Sequence, residues 1–190
     1  MLYTGKGDKG TTKLFNTPSD ERISKGDVIF EALGTVDELN AYIGLLKVKV
    51  ENMTFLMNHE EKLISHILHT VQESLFVVQA ELAGVQMHLE EKHTQELSDL
   101  VNDIEKTLPP ITTFFISGGT ELAVISDIIR TISRRCERLL VRVSNQNKEI
   151  VGEYTLSYTN RLSSVFYAFS RLFNHEAGVS DIPPGYRRDK

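Results

Sequence analysis

Apolar residues recur along this chain at helical spacing in five stretches. The first stripe, Val36, Leu39, Ile43 and Leu46, lies on one side of a helix that Thr35 and Glu38 open as a capping box, with Thr35 as the N-cap. A long second helix, about His59 to Met87, carries Ile64, Ile67, Leu68, Val71, Leu75, Val78 and Leu82 on one face. A shorter third, about Thr94 to Leu108, presents Leu97, Leu100, Val101 and Ile104 and stops at Pro109-Pro110. Ser117-Gly118-Gly119 leads into a fourth, about Thr120 to Val143. After a turn near Asn145-Gln146-Asn147, a fifth, about Glu149 to His175, carries Leu156, Leu162, Phe166, Phe169 and Phe173, with Gly152 fraying its start. No segment alternates convincingly as a strand. Residues 1 to about 26 read as loop, punctuated by Pro18, Ser19, Asp20 and several glycines. The tail from Gly178, with Pro183-Pro184-Gly185, reads as irregular. The pattern predicts an all-α fold in one domain, 1–190: an irregular glycine-rich N-terminal loop at 1–26, a five-helix bundle at 27–175 and a tail at 176–190.

Composition narrows the class without naming a chemistry. A chain of 190 residues that is 41% hydrophobic and 25% charged is ordinary for a globular domain with its own core. The net charge of −5 argues against a general nucleic-acid binder but leaves room for a local basic pocket. No apolar run approaches the roughly 18 residues of a membrane span, and the first residues lack the layout of a signal peptide. The single cysteine, Cys136, permits no intramolecular disulfide and fits a reducing compartment. The expectation is a cytoplasmic protein with no nucleic-acid or membrane partner.

Chemistry is concentrated in two places far apart in sequence. In Tyr3-Thr4-Gly5-Lys6-Gly7-Asp8-Lys9-Gly10-Thr11-Thr12-Lys13-Leu14-Phe15, glycines allow backbone N–H groups to turn toward an anion, and lysines and hydroxyls add charge and donors. This is not a Walker loop: Thr11 stands where that motif needs lysine, and no strand precedes it. A flexible arm is the plainer alternative. The second place is the fourth helix, where Arg130, Arg134 and Arg138 fall in one row opposite Ile125, Ile129, Ile132, Cys136, Leu140 and Val143. Composition alone would make the row a solvated basic face. Yet aligned guanidinium groups repel one another unless an anion sits there, and their planar forks suit phosphate. Glu137 is placed to hold those guanidinium groups.

Asp37, in the first turn of the first helix, reads either as a helix-dipole partner or as an ion-pair partner for an arginine of the fourth. Glu90-x-x-His93 has the spacing of a di-iron ligand pair but lacks the further carboxylates such a site needs. Cys136 reads as an inert core thiol. Phe114-Phe115 stand in a loop before a Gly-Gly turn, either packed on the bundle or offered as an apolar wall to a flat ligand.

Five blocks occur in order: Thr4 through Thr12, Phe30 through Ala41, Ser117-Gly118-Gly119, Arg130 through Arg138, and Tyr158-Thr159-Asn160-Arg161-Leu162-Ser163. Together they resemble the PduO-type ATP:cob(I)alamin adenosyltransferases, over residues 1 to about 175. The resemblance implies a five-helix bundle and a homotrimer with active sites between subunits. It implies transfer of the 5′-deoxyadenosyl group of ATP to Co(I) of cobalamin, with release of triphosphate. By position, the nucleotide would meet Thr4, Gly5, Lys6, Gly7, Asp8, Thr12, Lys13 and Lys25, with Arg134, Arg135, Glu137, Arg138 and Asn160. Asp37 and Arg130 would pair across the subunit boundary, and Phe114 would crowd the lower face of the corrin ring. Mg²⁺ would accompany ATP without direct protein ligation, and a flavoprotein reductase is an implied partner. The chain departs from the family pattern at Ser117, where proline is usual, and at Thr159 and Ser164, where leucine and aspartate are usual. A phosphate-cleaving nucleotide hydrolase and a helical scaffold with a basic docking face are the competing readings.

Overall fold

The computed structural model describes residues 3–186. Five helices make up the bundle: α1 (Val28–Lys49), α2 (Ile64–Leu82), α3 (Glu91–Thr107), α4 (Glu121–Gln146) and α5 (Thr155–Glu176). α4 packs between α1 and α5, with α2 on the far side of α1 and α3 on the far side of α5. The core is a set of seams. Ile29, Ala32, Val36, Leu39, Ile43 and Leu46 of α1 are buried at three- and four-residue steps, as are Ile64, Leu68, Val71, Leu75, Val78 and Leu82 of α2. Ile129, Cys136, Leu140 and Val143 of α4 meet Leu162, Phe166, Phe169 and Phe173 of α5 within the same core.

The first helix begins earlier than its apolar stripe predicts. Asp27 is its N-cap, its carboxylate accepting from the Ile29 N–H at 3.1 Å. Thr35 therefore does not open the helix; it is buried within it, and Gly34 is tolerated in mid-helix. Asp37 correspondingly lies well inside α1, out of reach of the dipole at its N-terminus.

The predicted second helix is too long at both ends. Thr54–Met57 and Glu60–Leu63 form an antiparallel hairpin, β3 and β4, whose turn at Asn58 and His59 has positive φ at both residues. That geometry matches the twist of a two-residue hairpin turn, and its sequence sign is usually Asn-Gly. Here His59 takes the second place, so the signal is weak. Phe55 and Met57 point inward and are buried, while Thr54 and Leu56 face out. A two-residue ladder, β1 (Thr11–Thr12) with β2 (Ile23–Ser24), braces the N-terminal segment. α5 begins at Thr155 rather than near Glu149. The Glu90/His93 pair is a helix cap: the Glu90 N–H donates to His93 Nδ1 at 2.9 Å, opening α3.

Candidate functional site: a cavity and a glycine-rich leader

A cavity of about 630 Å³ opens where α4 begins and α5 ends. The loop from Pro109 to Thr120 forms one wall, with Phe114 exposed on it. Arg130 and Arg134 come from α4; Ser163, Ser164, Tyr167 and Ser170 come from α5. Asp127 orients Arg130, accepting from its Nε at 2.8 Å, and in turn accepts from Ser170 Oγ at 3.2 Å. The guanidinium carbon of Arg130 also lies 6.0 Å from the centroid of the Tyr167 ring. Burial raises the Tyr167 phenol above its ordinary value.

The arginine row is divided in its duties. Arg134 is exposed and lines the cavity, and Arg138 is exposed one turn further along. Arg135 instead pairs with Glu38 of α1. Glu137 does not brace the arginines in this chain; it accepts from Asn160 Nδ2 at 2.8 Å, joining α4 to α5. Asp37 is exposed and, among the described residues, has no ion-pair partner in its own chain. Arg130 finds its carboxylate three residues back, at Asp127.

The leader is folded on itself. Arg22, which sequence reading passed over, organises it by donating to the Lys6 carbonyl at 2.7 Å and to Thr11 Oγ1 at 2.8 Å. Gly7 lies against the Lys25 side chain: a Cβ there would stand 2.9 Å from Lys25 Nζ. Lys13 Nζ donates to the Pro18 carbonyl at 2.9 Å and to the Ser19 carbonyl. Thr4 accepts from the Lys6 N–H at 3.4 Å, and Asp8 closes a turn back to the Gly5 carbonyl at 3.3 Å. Thr12 sits on β1. The segment is leashed to the end of α2, where the Phe15 N–H donates to the Ala83 carbonyl at 2.9 Å.

Within one chain, then, the two halves of the expected site are apart. The leader lies where α2 ends and α1 begins, whereas the cavity lies where α4 begins. No leader residue is among the described residues that line the cavity. Phe114, Arg130 and Arg134 come together; Lys25, Lys13 and the glycines gather elsewhere. The sequence blocks include Asn160 and Ser163 of α5 but not Tyr167, Ser170 or Asn174. Ser163, Tyr167, Ser170 and Asn174 recur at helical spacing, a second stripe beside the phenylalanines, and that period was the available signal.

Comparison with known proteins identifies the family and the fold. The cobalamin adenosyltransferase family model matches residues 2–173. A corrinoid adenosyltransferase of Bacillus subtilis (strain 168) is 34% identical over 185 residues, spanning 95% of this chain and 90% of its own length. The corrinoid adenosyltransferase PduO of Citrobacter freundii is 32% identical over 188 residues, 95% of this chain but only 52% of that protein. The structure of a variant PduO-type ATP:corrinoid adenosyltransferase from Lactobacillus reuteri, complexed with cobalamin and ATP, superposes with a TM-score of 0.83 at 29% identity, covering 99% of this chain and 100% of that one. The chain belongs to the cobalamin adenosyltransferase family.

Proposed function

We propose that this protein is an ATP:corrinoid adenosyltransferase that moves the 5′-deoxyadenosyl group of ATP to Co(I) of cobalamin. The observation that carries the reading is the cavity: an exposed aromatic, Phe114, faces a space walled by Arg130 and Arg134, in a chain of this family. In the transfer, the Co(I) lone pair forms the Co–C5′ bond while the C5′–O5′ bond breaks, and triphosphate leaves with that electron pair. The metal centre is its own nucleophile, so no protein base is required. What the chain supplies is alignment of C5′ with cobalt and stabilisation of the departing charge. Thr4, Gly5, Lys6, Gly7, Asp8, Thr12, Lys13 and Lys25 serve the nucleotide from the leader. Arg134, Arg138, Glu137 and Asn160 serve it from the bundle, and Arg135 holds α4 against α1. Among the described residues no three His, Cys, Asp or Glu side chains converge as a cation site. Mg²⁺ would accompany ATP as part of the nucleotide substrate. Phe114 keeps water and a lower axial ligand away from cobalt, which makes Co(II) easier to reduce by a flavoprotein partner.

The working form is a homotrimer in which the leader of one protomer meets the arginine row of the next. The separation of leader and cavity within one chain supports this, as do the exposed Asp37 and an exposed apolar flank of α4 at Val124 and Ile128. Asp37 then pairs with Arg130 of the adjoining protomer. Among the described residues no helix is long and apolar enough to cross a membrane, and we place the enzyme in the cytoplasm.

The test mixes the protein with ATP, Mg²⁺ and chemically reduced cobalamin. The expected outcome is an alkylcobalamin spectrum with release of inorganic triphosphate. Orthophosphate or diphosphate release with an unchanged cobalt spectrum would make it a nucleotide hydrolase instead.

A further inference from the structure

The loop carrying Phe114 has no regular structure between Pro109 and Thr120, yet it is fastened at both ends and in the middle. At its start, Arg171 Nη2 donates to the Pro109 carbonyl at 2.8 Å, and the same guanidinium lies 5.5 Å from the centroid of the Phe115 ring. At its end, Asn174 Nδ2 donates to the Gly118 carbonyl at 3.0 Å while its Oδ1 accepts from the Thr120 N–H at 2.9 Å. Gly119 fits there because its φ is +96°, and a Cβ would fall 2.3 Å from Asn174 Oδ1. In the middle, the Ile116 N–H donates to the Ile182 carbonyl at 2.8 Å.

One residue of the tail links these fastenings. Asp181 accepts from Arg171 Nε at 3.0 Å and from Asn174 Nδ2 at 3.4 Å. Arg171 and Asn174 stand three residues apart, on one face of α5, and are 6% and 5% exposed. A buried guanidinium is costly without a counter-charge. Among the described residues Asp181 is its only ion-pair partner. The ion pair therefore folds the tail back over the loop, and Ile182 follows it onto Ile116. With Ser117 where a proline would fix the backbone, the order of this loop comes from side chains outside it.

We propose that Arg171, Asn174 and Asp181 are positioning residues for Phe114, setting how deeply that ring stands in the corrinoid cavity. The inference rests on the reading of that cavity given above. All three also line the cavity, and their hydrogen bonds to Pro109, Gly118 and Thr120 are what tie them to the loop.

The test uses the full chain with Asp181→Ala, Asp181→Glu and the apolar double variant Arg171→Leu/Asp181→Leu, which leaves no unpaired buried charge. Each is loaded with ATP and cob(II)alamin, and the fraction of four-coordinate Co(II) is read by electron paramagnetic resonance. Turnover is measured twice, from Co(II) with reduced flavin as donor and from chemically prepared Co(I). Asp181→Ala and the double variant are expected to lose about tenfold in turnover from Co(II), with the four-coordinate signal falling in parallel. ATP affinity and turnover from Co(I) stay within about threefold, and Asp181→Glu recovers most of the loss. A wild-type signal in both Asp181→Ala and the double variant overturns the inference, as does equal loss from Co(I) and Co(II). A wild-type protein that converts Co(I) but gives no four-coordinate Co(II) overturns the role of Phe114 and the inference with it. A wild type that does not alkylate cobalt at all overturns the assigned function itself.

Discussion

Arg134 and Arg135 are neighbours on α4 with opposite fates. Arg135 turns to Glu38 on α1; both side chains are well exposed, so Arg135→Ala should cost less than about 1 kcal/mol in a denaturant melt. Arg134 faces the cavity, and Arg134→Ala should weaken ATP binding about tenfold or more by calorimetry; unchanged affinity rejects its assignment to phosphate. Phe114→Ala should keep ATP affinity while losing most turnover that starts from Co(II), and a comparable loss from Co(I) would count against its proposed role. Cys136 carries a pH prediction. Burial pushes its thiol up to about 12, against about 8.5 in an unfolded chain. Between those values the unfolded state gives up a proton the native state keeps, so stability falls as pH rises, by about 1.4 kcal/mol per pH unit from this group. Urea melts above pH 9 should show a shallower decline for Cys136→Ala; parallel declines reject the account. The buried place of Cys136 was legible from the α4 stripe. The duties of individual arginines were not, because i, i+4 spacing fixes a row but not the acceptor each member finds across a helix boundary.

At the scale of elements, the helices were legible and their ends were not. Three- and four-residue steps of apolar side chains identify α1, α2 and α4 because one buried face is a property of local sequence. Helix starts depend on single hydrogen bonds. Asp27 outcompetes Thr35 as the cap of α1, and nothing in the apolar period distinguishes them. α5 borrows its cap from another helix. Tyr154 offers no side-chain cap, but the buried Glu81 of α2 accepts from the Gly152 N–H and, at 3.0 Å, from Thr155 Oγ1. His88 adds a contact at 3.4 Å. No sequence rule announces a cap 71 residues away. Glu81→Ala strands those donors and should destabilise the fold by about 2–3 kcal/mol, read as a lower urea midpoint; a midpoint like that of the wild type would mean the carboxylate caps nothing.

For the whole molecule, the bundle keeps the glycine-rich leader and the Phe114 cavity at different ends. The ordered blocks of the sequence held both parts, but their separation in space was not legible, because nothing local records which end of a bundle a loop folds toward. The proposed homotrimer would bring them together, and subunit mixing tests it. A leader variant, Lys25→Ala, and a cavity variant, Arg134→Ala, should each be poorly active alone. Mixed after reversible dissociation, they should regain part of the wild-type rate, since some interfaces then join a sound leader to a sound cavity. A mixture no better than the sum of its parts would place the whole site within one chain. Under the shared arrangement, a flawed leader harms the copy next door rather than the chain that bears it. A cell producing intact and damaged versions together would see the defect spread through its pool by companionship.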